Sequence, residues 1–168
     1  MALGKKSRDS LKGVHPDLKR LAYEMSRRID AEKKRRKGIY KFDFSARDGV
    51  RGEAAQDKAF ASGNSKVKFP DSEHNKKPSQ AIHFLPYPMR WPNKPELYVG
   101  MGTVDFKKTN KEIKIYAKQL GRFYQLAGFV QAVAIDLNIQ VRWGGDWNRD
   151  GNIMDQNFDD LAHWEVVV

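Results

Sequence analysis

Directly after Pro16 and Asp17, the apolar residues Leu18, Leu21, Ala22, Met25 and Ile29 recur at helical spacing. Proline at the first turn and basic residues at the far end fit a helix running from Pro16 to near Gly38. Its terminal run, Lys33 to Lys37, reads either as a solvated end favoured by the helix macrodipole or as an anion-binding patch. Tyr40, Phe42, Phe44 and Ala46 then alternate with Lys41, Asp43 and Ser45, the period of a half-buried strand. A short helix is predicted from about Glu53 to Phe60, with Gly63 placed to close it. The polar, turn-rich stretch from Asn64 to Gln80 is a surface loop of the kind that carries function.

Ala81 to Leu85 reads as a second strand, and Pro86, Pro88, Pro92 and Pro95 impose an irregular excursion around Tyr87 and Trp91. Between Asn110 and Asn138, the residues Ile113, Tyr116, Leu120, Phe123, Ala127, Val130 and Ala134 form a long apolar stripe. This predicts a central helix, with Gly121 and Gly128 as the places where it would break. Ile139 to Trp143 and His163 to Val168 read as strands flanking a loop rich in glycine and aspartate. Helices with several non-adjacent strands predict an α+β fold, a small and mostly antiparallel sheet packed against helices. There is no internal repeat.

A length of 168 residues with 40% hydrophobic content suits one domain spanning 1–168. Cysteine is absent, so disulfides and thiolate metal sites are excluded, and a transition metal would need histidine and carboxylate ligands. His15, His74, His83 and His163 are then the available nitrogen ligands. The net charge of +10 attracts anionic partners, among which nucleic acid, anionic lipid and cell-wall polymers all qualify, but charge alone names none of them. Met1 to Ser10 lacks the apolar core of a secretory signal, and no run approaches the length of a membrane span. The expectation is a soluble chain made in the cytoplasm. A substrate beyond the membrane would require a separate release component.

Asp160 stands three residues before His163 at the start of a predicted strand, a spacing that could serve a metal and its general base. Taken alone, the segment reads equally as a turn residue and a surface histidine. The picture changes beside Ser72-Glu73-His74, Ala81-Ile82-His83-Phe84, Gly49-Val50-Arg51 with Gln56, and Arg142-Trp143-Gly144-Gly145-Asp146-Trp147. In this order and at about these separations, and with Gly13-Val14-His15-Pro16-Asp17-Leu18 at the N-terminus, they resemble the D-alanyl-D-alanine carboxypeptidase superfamily. The likeness is to its phage L-alanoyl-D-glutamate peptidase branch and covers most of the chain.

This resemblance implies a Hedgehog/DD-peptidase-like fold and a zinc held at His74, His83 and His163. His83 departs from the pattern, because the family has aspartate in the Ala-x-Asp motif. Three histidines and a water form a known open catalytic zinc site, but losing a carboxylate raises the site's net charge and changes side-chain reach. Three outcomes stay open: a working three-histidine site, a weakened or inactive enzyme, and no metal, with His83 as a packed non-ligand. Asp160 matches the family's catalytic base, and Arg51 its arginine facing the substrate carbonyl, with an ordinary salt bridge as the plain alternative. Ser72 and Gln56 match hydrogen-bonding groups at the rim or behind the ligands, where they bind substrate or serve structure. His15 is assigned to capping and packing. Trp143 and Trp147 either wall the cleft or pack the core.

Asp146-x-Asn148-x-Asp150-Gly151-Asn152 also reproduces the opening of an EF-hand calcium loop. Asn157 replaces the usual glutamate at its twelfth position, and Asp155 or Asp159 could substitute; a polar turn is the alternative reading. Together these readings predict a monomeric peptidoglycan hydrolase of the endolysin kind, with zinc and a candidate calcium site. The bond expected to be cut is L-Ala-D-Glu of the stem peptide. The rivals are a D-alanyl-D-alanine carboxypeptidase or cross-bridge endopeptidase, and a degenerate wall-binding or virion protein. Specific nucleic-acid binding rests on charge alone and is set aside.

Overall fold

The computed structural model describes residues 3–92, 99–100, 103–104 and 106–168. Pro95 of the proline-rich excursion lies outside them. The elements are α1 (Lys5–Ser10), α2 (Pro16–Arg35), β1 (Phe44–Arg47), α3 (Glu53–Ala61), a 3-10 turn (Glu73–Asn75), β2 (Ala81–Pro86), β3 (Val99–Gly100), β4 (Thr103–Val104), α4 (Phe106–Asp136), β5 (Val141–Trp143) and β6 (His163–Val166). The result is a mixed α+β fold, as the patterning predicts.

Helix α2 starts where the pattern places it. Pro16 fills the first turn, and His15 caps the end by accepting the Asp17 N–H on Nδ1 at 3.2 Å. Leu18, Leu21, Ala22, Met25 and Ile29 are its buried face. In α3, Gly63 follows the last turn and donates to the Phe60 carbonyl. The long helix α4 runs unbroken through Gly121 and Gly128, contrary to the expected interruption. Interior glycine costs a helix about 1 kcal/mol each. Burial of Phe123, Leu126, Ala127, Val130, Val133 and Ala134 along one face outweighs that.

Four strands form an antiparallel sheet in the order β1-β2-β6-β5. β1 is shorter than the alternation from Tyr40 to Ala46 predicts and extends to Arg47 instead. Phe42 packs edge-on against Phe129 of α4, and Asp43 pairs with Lys33, so this stretch is held by tertiary contacts and not by a ladder. Alternation sends Phe44, Ala46, Ile82, Phe84, Trp143, Trp164 and Val166 into the main core with α2 and α4. The opposite phase of the same strands carries His83, His163, Glu165 and Arg142. Register then sets these against one another, with His83 opposite His163 and Arg142 opposite Glu165.

Candidate active site

Strand pairing brings His83 and His163 face to face, and the loop before β2 delivers His74 as the third member. That loop is tied down locally. Ser72 caps the 3-10 turn by accepting the His74 N–H at 3.3 Å, and the Asn75 side chain accepts from the Ser72 N–H at 3.2 Å. Asn75 also donates to the Arg51 carbonyl at 2.7 Å, while the Arg51 N–H donates to the His74 carbonyl at 2.9 Å. The loops holding His74 and Arg51 are therefore cross-bonded.

Three ring nitrogens converge. His74 Nε2 is 3.3 Å from His83 Nε2 and 3.2 Å from His163 Nδ1, and His163 Nδ1 is 3.3 Å from His83 Nε2. A tetrahedral zinc with bonds of about 2.0–2.1 Å sets its nitrogen ligands about 3.3–3.4 Å apart, so the triangle has the size such an ion requires. Each far nitrogen faces an acceptor: His74 Nδ1 meets the Gly49 carbonyl at 2.8 Å and His163 Nε2 meets Glu165 at 2.8 Å. His83 Nδ1 lies 3.4 Å from an Asp48 carboxylate oxygen. With the far nitrogens protonated, the converging ones present lone pairs, as metal ligation demands. Burial, then the charges of His83, His163 and Arg51, pushes His74 well below the ordinary histidine range and so favours the neutral ligand form. Burial opposes ionisation of Glu165, but bonds from His163 and Arg142 outweigh it, and its carboxyl sits below the usual range. Among the described residues, His74, His83 and His163 form a group that could hold a metal ion; Asp146, Asp150 and Asp155 do not converge in this way.

These histidines sit in a cleft of about 380 Å³ also lined by Arg51, Ser72, Trp147 and Asp160. An Asp160 carboxylate oxygen is 3.8 Å from His83 Nε2. Its backbone is clasped to the sheet, with Asp160 N donating to Gly144 O at 2.8 Å and Gly144 N to His163 O at 2.9 Å. A Cβ on Gly144 would stand 2.3 Å from the Asp160 carbonyl oxygen, so only glycine allows this approach. Burial lowers the Arg51 guanidinium pKa, while the charges of Asp48 and Asp160 raise it. Arg51 Nη1 donates to Gln56 Oε1 at 3.1 Å, and Gln56 in turn donates to Ser65 and Val67. Fully buried, Gln56 thus stands behind Arg51, not at the cleft surface.

The two tryptophans divide between the two expectations. Trp143 is core, stacked on Trp164, whereas Trp147 lines the cleft with its ring 5.3 Å from that of His163. Arg142 lies over Trp147 and also bonds Glu165, which braces His163 from behind. Sequence reasoning gave no role to Asp48, Glu165, Arg142 or Asn75. Glu165 could have been found, since it lies two residues from His163 on a strand and shares its face. His15, as expected, is remote from this group and caps α2.

In the 146–155 loop the side chains bond locally. Asp146 Oδ2 accepts the Gly151 N–H at 3.1 Å, Asp150 accepts from Asn152 N at 2.7 Å, and Asn148 donates to Asp150 and Asp155. The other oxygen of Asp146 is buried without a hydrogen-bond partner.

An open cluster of three imidazoles that could hold a metal ion, with a carboxylate and a guanidinium in the same cleft, is the equipment that a metal-dependent hydrolase requires. A family model described as phage L-alanyl-D-glutamate peptidase matches residues 1–167, and the chain belongs to that family. It is an enzyme that hydrolyses peptidoglycan. The crystal structure of the Serratia marcescens L-Ala D-Glu endopeptidase ChiX is similar in fold, with a TM-score of 0.58 and 22% identity over 97% of this chain and 87% of that one. No curated protein matches the sequence. No helix among the described residues is long and apolar enough to cross a membrane.

Proposed function

We propose that the protein cleaves the L-Ala-D-Glu bond of the stem peptide using zinc held by His74 Nε2, His83 Nε2 and His163 Nδ1. The observation that carries this is the triangle of 3.2–3.3 Å between three imidazole nitrogens whose far sides each meet an acceptor. When bound, zinc supplies Lewis acidity toward the scissile carbonyl and toward a water at the open position. Asp160, at the cleft edge beside His83, takes a proton from the attacking water and passes it to the leaving nitrogen as the C–N bond breaks. Arg51, steadied by Gln56, offers its remaining N–H donors to the carbonyl oxygen as negative charge develops there. Arg51, Lys66 and Arg142 line the walls together with Asp71, Glu73, Asp160 and Glu165, so the free carboxylates of a stem peptide find individual cationic partners in a cleft of mixed charge.

On this reading the chain is a single peptidase domain acting as a monomer, made in the host cytoplasm and released to the wall by a separate lysis component. Calcium binding by the 146–155 loop draws support from its ligand spacing and from the unpartnered Asp146 oxygen.

The test is digestion of purified peptidoglycan by zinc-loaded protein, with the new termini read by mass spectrometry. Expected are C-terminal L-Ala and N-terminal D-Glu, abolished by chelation and lowered at least about 100-fold by Asp160→Ala. Release of D-alanine instead would make the protein a carboxypeptidase. No release despite bound zinc would make it a degenerate wall binder. Repeating the digest with added calcium reads the loop: an unchanged rate and no calcium uptake would remove that assignment.

A further inference from the structure

The turn that follows β1 touches two of the three histidines from behind. Register places Arg47 opposite His83, which brings the next two residues to the back of the cluster. The Gly49 carbonyl meets His74 Nδ1 at 2.8 Å, and the Asp48 carboxylate lies 3.4 Å from His83 Nδ1. Asp48 has a backbone φ of 49°, in the left-handed region that aspartate and asparagine tolerate better than most side chains. Gly49 is held against α1, where a Cβ would come within 2.2 Å of the Ser10 carbonyl oxygen. The turn is therefore anchored independently of any ion.

The third histidine obeys the same pattern, with Glu165 on His163 Nε2 at 2.8 Å. The cluster thus carries one carbonyl and two carboxylates behind three imidazoles. With histidine at position 83, the ligand set of three imidazoles carries no negative charge of its own.

We propose that Asp48 is a positioning residue of this metal site: its carboxylate holds the His83 Nδ1–H, turns Nε2 toward the ion, and sets a negative charge behind a ligand set that has none. The proposal rests on the reading of the three histidines as a zinc site. A carboxylate behind a ligating imidazole fixes the tautomer and raises ligand basicity, and losing one typically weakens metal affinity about 10- to 100-fold.

A double-mutant cycle read by zinc affinity tests this, using the full-length apo protein and competition against a chromophoric chelator. Asp48→Asn keeps the shape and the left-handed backbone while removing the charge. It should weaken zinc binding at least about tenfold in the wild-type background. In a His83→Asp background the same change should cause no loss, or tighten binding, because two adjacent carboxylates no longer repel. Equal affinity of Asp48→Asn and wild type, or an equal loss in both backgrounds, overturns the proposal; the second result would mark Asp48 as merely structural. If wild type itself takes up no zinc, the metal reading falls, and this proposal with it. A measurement on unaltered protein guards against misfolded variants: nitrogen-15 NMR of the zinc-loaded form should show His83 protonated at Nδ1 and metal-bound at Nε2. The opposite assignment overturns the role of Asp48.

Discussion

At the scale of single residues, the site depends on close backbone approach as much as on side-chain chemistry. Gly144 shows this, because its missing Cβ leaves room for the Asp160 carbonyl while its N–H and C=O tie Asp160 to His163. Gly144→Ala would push the Asp160 backbone away, since the obstructing atom belongs to the main chain and cannot swing aside. We expect a stability loss of about 1–3 kcal/mol, as for an overpacked core position. Activity should fall about 100-fold even where the variant is folded, since a shift near 1 Å at a catalytic group costs that much. Thermal melts and stem-peptide hydrolysis measured below the variant's midpoint check the two parts; full activity in a folded variant would sink the argument. The converging residues His74, His83, His163 and Asp160 were legible in the sequence because each sits in a short motif of recognisable order. Asp48, Arg142 and Asn75 were not, because what places them is strand register and loop cross-bonding between residues distant in sequence. Gln56 was legible as a polar partner, but only packing reveals that it serves Arg51 from behind.

At the scale of elements, periodicity located the long helices and the strands that carry the histidines. It failed where tertiary contacts decide the outcome. Helix α1 is six residues without an apolar stripe; it is secured by the Ser7 hydroxyl, which accepts the Ala46 N–H at 3.1 Å. Helix α4 keeps its glycines because the buried face is long enough to hold it together. Between α2 and α4 a charged network adds to the apolar contact: Glu24 takes Arg27 and Arg28, and Arg28 reaches Asp136 at 2.6 Å. Hydrogen bonds from Arg27 and Arg28 lower the Glu24 carboxyl to about 2. A depressed carboxyl pKa contributes stability that is present above the unfolded value and is lost as pH falls through the folded one. Glu24→Gln should therefore cost about 0.5–1 kcal/mol at neutral pH, the range of solvent-screened pairs, and almost nothing near pH 2. Melting wild type and variant side by side at both pH values decides it, and a gap that widens in acid would contradict the sign.

At the scale of the whole molecule, the +10 charge has consequences that no single ion pair carries. Many of the cations are surface residues of α2 whose pairs are local, such as Arg35 and Arg36 with Glu32, which leaves the long-range field positive. That field acts on encounter with an anionic wall, whereas the largely buried triad and its cleft act on the bond that is cut. Salt separates the two, since a Debye length of about 8 Å at physiological ionic strength screens exposed charges far more than buried ones. Raising salt from about 50 to 300 mM should slow digestion of intact walls several-fold while leaving turnover of a small soluble stem peptide within about twofold. If both substrates slow together, the cations that matter lie inside the cleft, with Arg51, Lys66 and Arg142 the ones to substitute. If neither slows, the net charge has no part in wall hydrolysis, and the basic end of α2 is a solvated helix terminus and nothing more.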